Sequence, residues 1–155
     1  MIQRIQSLYL FLTIVTSLLF LTGDFLRFRT GDGSEYELTA MGLFDANSSN
    51  EDLHHKGSFP LSAVSFLVPL VFSVSVFLYR KRKLQRKIIT IGIILVLLMI
   101  VLIVPASFDI MEINNAVPVP GYRLALLPVM ILFPILAIRG IRSDERLVNS
   151  FDRIR

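Results

Sequence analysis

The chain has 155 residues, 54% of them hydrophobic and 18% charged, with a formal net charge of +4 and no cysteine. A soluble domain carries about 25% charged residues, so the composition argues against a water-soluble globule and for a single membrane domain. The missing cysteines exclude disulfide frameworks, thiolate metal sites, cysteine nucleophiles and CxxC redox pairs.

A transmembrane helix needs roughly 20 mostly apolar residues, and hydropathy along the chain predicts four. The first covers about residues 5–22, with Ser7–Thr22 as its uninterrupted part. Arg4 before this run suggests a signal peptide. The end of the run, Phe20-Leu21-Thr22-Gly23-Asp24, lacks small residues at both positions that a signal peptidase requires, so a retained anchor is expected. The loop that follows, residues 23–59, begins with period-two patterning: Leu26 and Phe28 alternate with Arg27 and Arg29, and Tyr36, Leu38 and Ala40 with Glu35, Glu37 and Thr39. With Gly31-Asp32-Gly33-Ser34 between the two runs, this reads as a β-hairpin. It would set Arg27 and Arg29 across from Glu35 and Glu37 and lay its apolar face on the helix ends or on a partner. Asp45–Gly57 is a polar link. Within it, Asn47-Ser48-Ser49 fits the glycosylation pattern only formally. His54-His55, beside Glu51 and Asp52, are adjacent and would point apart in an extended loop, so solvated residues are expected rather than metal ligands.

The second span, residues 60–79, has no charge. Residues 80–87 form a loop with six basic residues in eight: Arg80, Lys81, Arg82, Lys83, Arg86 and Lys87. The third span, residues 88–107, is interrupted only by Thr90 and Gly92 as far as Val104. In the next loop Asp109 and Glu112 have no partner base, so a cap or an interfacial turn through Pro118-Val119-Pro120-Gly121 is expected rather than catalysis. The fourth span covers residues 122–138, with Arg123 at its outer boundary, where its side chain could snorkel to headgroups. In the tail, residues 139–155, Ser143 could cap a short amphipathic helix carrying Leu147, Val148, Phe151 and Ile154 on one face. That face would meet the inner leaflet or protein.

The basic loop, the tail and Arg4 hold twelve of the sixteen basic residues and three of the twelve acidic ones, a surplus of nine positive charges. The opposite side holds four basic and nine acidic residues, a deficit of five. By the positive-inside rule both termini are cytoplasmic. The expected architecture is an all-α, four-transmembrane-helix bundle, N-in and C-in, with a β-hairpin outside and an amphipathic C-terminal helix inside.

The span centres carry no ionisable residue, so nothing marks an intramembrane proton relay, haem pair or protease dyad. No enzyme activity, cofactor or metal is expected. The spans do carry small and hydroxyl residues at three- and four-residue steps. Gln6, Thr13 and Ser17 lie in the first, Ser62, Ser65 and Ser73 in the second, and Gly140 follows the fourth. Such stripes let helices approach closely, within the bundle or against another subunit. On the basic side Arg80, Lys81, Arg82, Lys83, Arg86, Lys87, Leu147, Phe151 and Ile154 are candidates for docking anionic lipid or a partner. DNA binding is not expected, and without an aromatic stacking platform RNA or ribosome contact is the weaker reading.

Both ends resemble one family. Met1-Ile2-Gln3-Arg4-Ile5-Gln6-Ser7-Leu8-Tyr9-Leu10 at the start, and Ala137-Ile138-Arg139-Gly140-Ile141-Arg142-Ser143-Asp144-Glu145-Arg146-Leu147-Val148 with Asp152-Arg153-Ile154-Arg155 at the end, resemble the family filed as domain of unknown function 4293. The resemblance covers the whole length in layout. It implies a four-span inner-membrane protein of the Bacteroidota, so that the outer loops are periplasmic, and it brings no catalytic residues. The functional expectation is a non-enzymatic accessory or scaffold subunit of a larger inner-membrane complex, serving protein export or envelope biogenesis. The alternative is a small homo-oligomeric transporter or channel.

Overall fold

Long apolar runs without internal charge close their own backbone hydrogen bonds as helices, and four α-helices form among the described residues. A computed structural model describes residues 3–31, 33–45, 59–114 and 116–152. Helix α1 (Gln3–Leu21) leads into strands β1 (Asp24–Arg29), β2 (Glu35–Thr39) and β3 (Gly42–Asp45). Helices α2 (Phe59–Phe77) and α3 (Arg82–Asn114) follow, then strand β4 (Val117–Pro120), a 3₁₀ turn (Tyr122–Ala125) and α4 (Leu126–Asp152). The main helix contacts form a ring, in which α1 packs on α4 and α2, and α3 packs on α2 and α4.

Three of these helices, at Phe59–Phe77, Arg82–Pro105 and Tyr122–Asp144, are long and apolar enough to cross a membrane. This corrects the expected count of four. The apolar part of α1, Ile5–Leu21, is shorter, about 25 Å at 1.5 Å per residue against a hydrocarbon core of about 30 Å. Large apolar side chains face outward along the bundle, among them Leu70 at 58% exposure, Ile94 at 57% and Val101 at 63%. Such exposure would drive aggregation in water and suits a lipid solvent.

Two other expected boundaries shift. Most of the basic segment 80–87 is helical, because α3 already begins at Arg82. A tight turn at Leu78–Lys81 suffices to reverse the chain, closed by the Lys81 amide on the Leu78 carbonyl at 2.9 Å. At the other end α4 runs unbroken through Ser143 to Asp152, so among the described residues the expected amphipathic C-terminal helix is a continuation of α4 and not a separate element. Gly140 is the only weak helix former between Ile138 and Ser143, and a single glycine costs only about 1 kcal/mol.

The expected hairpin is present. Arg27 pairs with Glu37 and Arg29 with Glu35 in an antiparallel register, and Gly33 turns the chain at φ +84°. The structure enlarges it to a four-stranded sheet in the order β3-β2-β1-β4. β4 arrives from the loop after α3 and pairs with the free edge of β1, Pro118 opposite Phe28 and Pro120 opposite Leu26. Prolines are tolerated there because an edge strand can turn the positions lacking N–H away from its partner. The buried face of the sheet, Phe28 and Leu38, joins the core of the helix bundle, so the sheet is a lid over one end of the helices.

In lipid, helices gain nothing from hiding apolar surface from water and associate through close packing. Gly92 of α3 provides this for α2, since a Cβ built there would lie 2.7 Å from the Phe72 ring. Gly92→Val is therefore expected to destabilise the detergent-solubilised protein by about 1–3 kcal/mol. Adding Phe72→Leu should restore part of the loss, read as thermal unfolding temperatures of the single and double variants.

Candidate functional site

At the sheet end, the α1–β1 junction buries Asp24, whose side chain is 8% exposed. A buried carboxylate needs a partner for its charge and lone pairs. Arg27 Nε donates to Asp24 Oδ2 at 2.8 Å, and Arg123 Nη1 donates to Oδ1 at 3.2 Å. Arg27 also lies 3.3 Å from Glu37 Oε1 on β2. The hydrogen bond from Arg27, above all, and the charges of Arg27 and Arg123 hold the Asp24 carboxyl below its ordinary 3.8, against the opposing effect of burial.

Two glycines make room for this arrangement. The Arg123 guanidinium occupies the space that a side chain at Gly23 would need. The Gly121 amide donates to the Phe25 carbonyl at 3.2 Å. Arg123, expected to snorkel outward, is instead drawn in, its side chain 18% exposed, and lies 5.1 Å from the centre of the Tyr122 ring. The cluster neutralises its own charges and ties both loops to the start of α4. Its chemistry is that of a clamp.

Between the two ends, the small and hydroxyl residues are engaged within the chain. Thr13 and Ser17 are buried and donate to the Tyr9 and Ile14 carbonyls of their own helix at 2.8 Å each. Ser65 is buried, its Oγ 3.5 Å from Met99 Sδ on α3. Half-buried Ser73 donates to the Pro69 carbonyl at 2.7 Å, and Ser62 is half-buried. Gly140 of α4 lies against Gln6 of α1, with 2.8 Å between a Cβ built there and Gln6 Cγ.

At the opposite end Gln6 Nε2 donates to the buried carboxylate Asp144 Oδ2, a contact spanning almost the whole chain that sequence reasoning missed. At the same end, a groove of about 520 Å³ opens between the first turns of α3 and the middle of α4. It is lined by Lys83, Arg86, Lys87, Thr90 and Ile91 of α3 and by Ile138 and Arg142 of α4. Three of the basic candidates thus converge with Arg142, which the sequence reading left out. Arg80 and Lys81 lie in the α2–α3 turn, where the Arg80 guanidinium sits 5.8 Å from the centre of the Tyr79 ring, and Arg82 opens α3. Leu147 and Phe151 lie on the helical backbone of α4, and Ile154 lies outside the described residues, as do His54, His55, Glu51 and Asp52. Asp109 and Glu112 fall on the last turns of α3. Among the described residues no group of three or more His, Cys, Asp or Glu side chains could hold a metal ion.

A family model described as domain of unknown function (DUF4293) matches residues 2–154 of the chain. No curated protein matches it.

The clamp makes a signed prediction about pH. Because the folded-state value of Asp24 lies below 3.8, its stabilisation is complete above the unfolded value and is lost as pH falls through the folded one. Asp24→Asn should lower stability at neutral pH by about 1–3 kcal/mol, the cost of leaving Arg123 without its anion. It should also flatten the loss of thermal stability below pH 3.8. Gly23→Ala, which expels the Arg123 side chain, should reproduce part of this effect, and the two changes together should be less than additive.

Proposed function

The chain belongs to the DUF4293 family, and from that premise we propose that it is a non-enzymatic accessory or scaffold subunit of a larger inner-membrane complex, with protein export or envelope biogenesis as the favoured client. In this reading α1 joins the three longer helices as a fourth span. Both termini and the α2–α3 turn face the cytoplasm of a Bacteroidota cell, and the sheet faces the periplasm. The packing of α1 on both α2 and α4 supports its role as a span, and the surplus of basic residues in the turn and tail supports the orientation.

One observation carries the functional reading. Among the described residues the buried carboxylates Asp24 and Asp144 lie at the two ends and are satisfied within the chain. Between the ends, the hydroxyls of Thr13, Thr16, Ser17, Ser73 and Ser75 bond the backbone of their own helices. What the middle of the molecule offers laterally is apolar surface, such as Phe66, Leu67 and Leu70 on α2. That surface suits helix docking more than substrate handling. The transporter alternative calls for a path beside Ser62, Ser65 and Ser73. The burial of Ser65 on Met99, and the position of the basic groove at one end of the helices, give it less support.

Purification in a gentle detergent with quantitative mass spectrometry tests the proposal. A membrane protein co-purifying at a fixed ratio is expected, and a lone monodisperse monomer overturns the reading. The absence of native cysteine allows a direct test of orientation. In spheroplasts a membrane-impermeant thiol reagent should label Glu35→Cys, and should label Arg80→Cys only after lysis.

A further inference from the structure

The positive-inside rule accounts for a basic loop but not for the convergence of cations from two helices on one groove. Lys83, Arg86 and Lys87 follow one another at helical spacing on α3, and Arg142 faces them from α4 across the groove. None of the described residues lining it is acidic. One turn further toward the middle of the helices the lining becomes apolar, through Ile91 on α3 and Ile138 on α4. Beyond Ile91 the same stripe of α3 continues outward-facing, with Ile94 at 57% and Leu98 at 42% exposure.

We propose that this groove is a binding site for one anionic phospholipid, its phosphate held by Lys83, Lys87 and Arg142 and an acyl chain laid along the Ile91 stripe. The polar-to-apolar order along the groove is that of a lipid entering from the interface, and basic pockets between membrane helices suit anionic headgroups. A free phosphate would make no use of the isoleucines. An acidic protein segment would make no use of the stripe deeper along α3. The site depends on the chain lying in a membrane and not on its being a subunit, so its failure leaves the partner proposal standing.

Native mass spectrometry of the full-length protein, titrated in detergent with phosphatidylglycerol, phosphatidylcholine or glycerol phosphate, tests the proposal. One phosphatidylglycerol should be retained in preference to phosphatidylcholine. Arg142→Gln and Lys87→Gln should each weaken its retention roughly fivefold, while Arg142→Lys and the remote Arg29→Gln leave it unchanged. Elution volume and thermal unfolding identify any variant that fails to fold, and Arg142→Lys keeps the test valid in that event. Equal retention of the two lipids overturns the proposal, as does retention indifferent to both glutamine variants. Glycerol phosphate binding as tightly as the lipid overturns it too, as does cross-linking of Lys83 or Lys87 to an acidic segment of a co-purified partner in place of bound lipid.

Discussion

Asp24 sits where the chain leaves α1 and enters the sheet, and its burial sets conditions on much of what surrounds it. A carboxylate removed from water must have both oxygens engaged. One is held by Arg27, three residues on, and the other by Arg123, 99 positions away. Reaching it requires Arg123 to lie over a residue without a side chain, which Gly23 supplies, and requires the segment before α4 to pass close to β1. That approach is the one in which β4 adds to the edge of β1. The ion pair, the two glycines and the fourth strand are therefore one arrangement, joining two loops that are distant in the chain.

The helices below the sheet meet under a different constraint. Lipid is as apolar as leucine, so close approach matters more than burial as such. Gly92 receives the Phe72 ring, and Gly140 receives the Gln6 side chain. The latter contact brings Gln6 within hydrogen-bonding reach of Asp144. Both ends of the bundle are thus fastened by a buried carboxylate with a partner remote in sequence, while the intervening hydroxyls of Thr13, Thr16, Ser17, Ser73 and Ser75 are spent on their own helices. The lateral surface is left apolar, available to lipid or to other helices.

How much of this was legible depended on the range of the signal. Leu26 and Phe28 alternating with Arg27 and Arg29 identified β1 and the partner strand carrying Glu35 and Glu37, because alternation is local and Gly33 marks the turn, while the register decided that Arg27 meets Glu37 and Arg29 meets Glu35. Val117–Pro120 was not legible as a strand. Two prolines in four residues argue against one until the free edge of β1 is known to lie beside them. The end of α4 was misread because Ser143, Asp144 and Glu145 look like a helix start when only sequence is considered, whereas an ongoing helix accepts all three. Gln6, Thr13, Ser17, Ser62, Ser65, Ser73 and Gly140 were legible as small and polar helix positions, but spacing alone does not say that Gln6 meets Gly140 and Asp144 or that Ser65 meets Met99.

The sequence by itself determined the apolar helices, the paired β-strands around Gly33 and the concentration of basic charge at one end. These follow from sums over neighbouring residues, and hydropathy, alternation and charge are additive along the chain. Tertiary structure alone decided that Arg123 turns inward to Asp24, that Asp144 meets Gln6 across 138 positions, that a proline-containing edge strand completes the sheet, and that Arg142 joins three cations of α3 around one groove. Each of these needs two segments remote in sequence to be held within a few ångströms of each other. Only the packed fold pairs such segments, because it must satisfy every buried charge and close every helix contact at once.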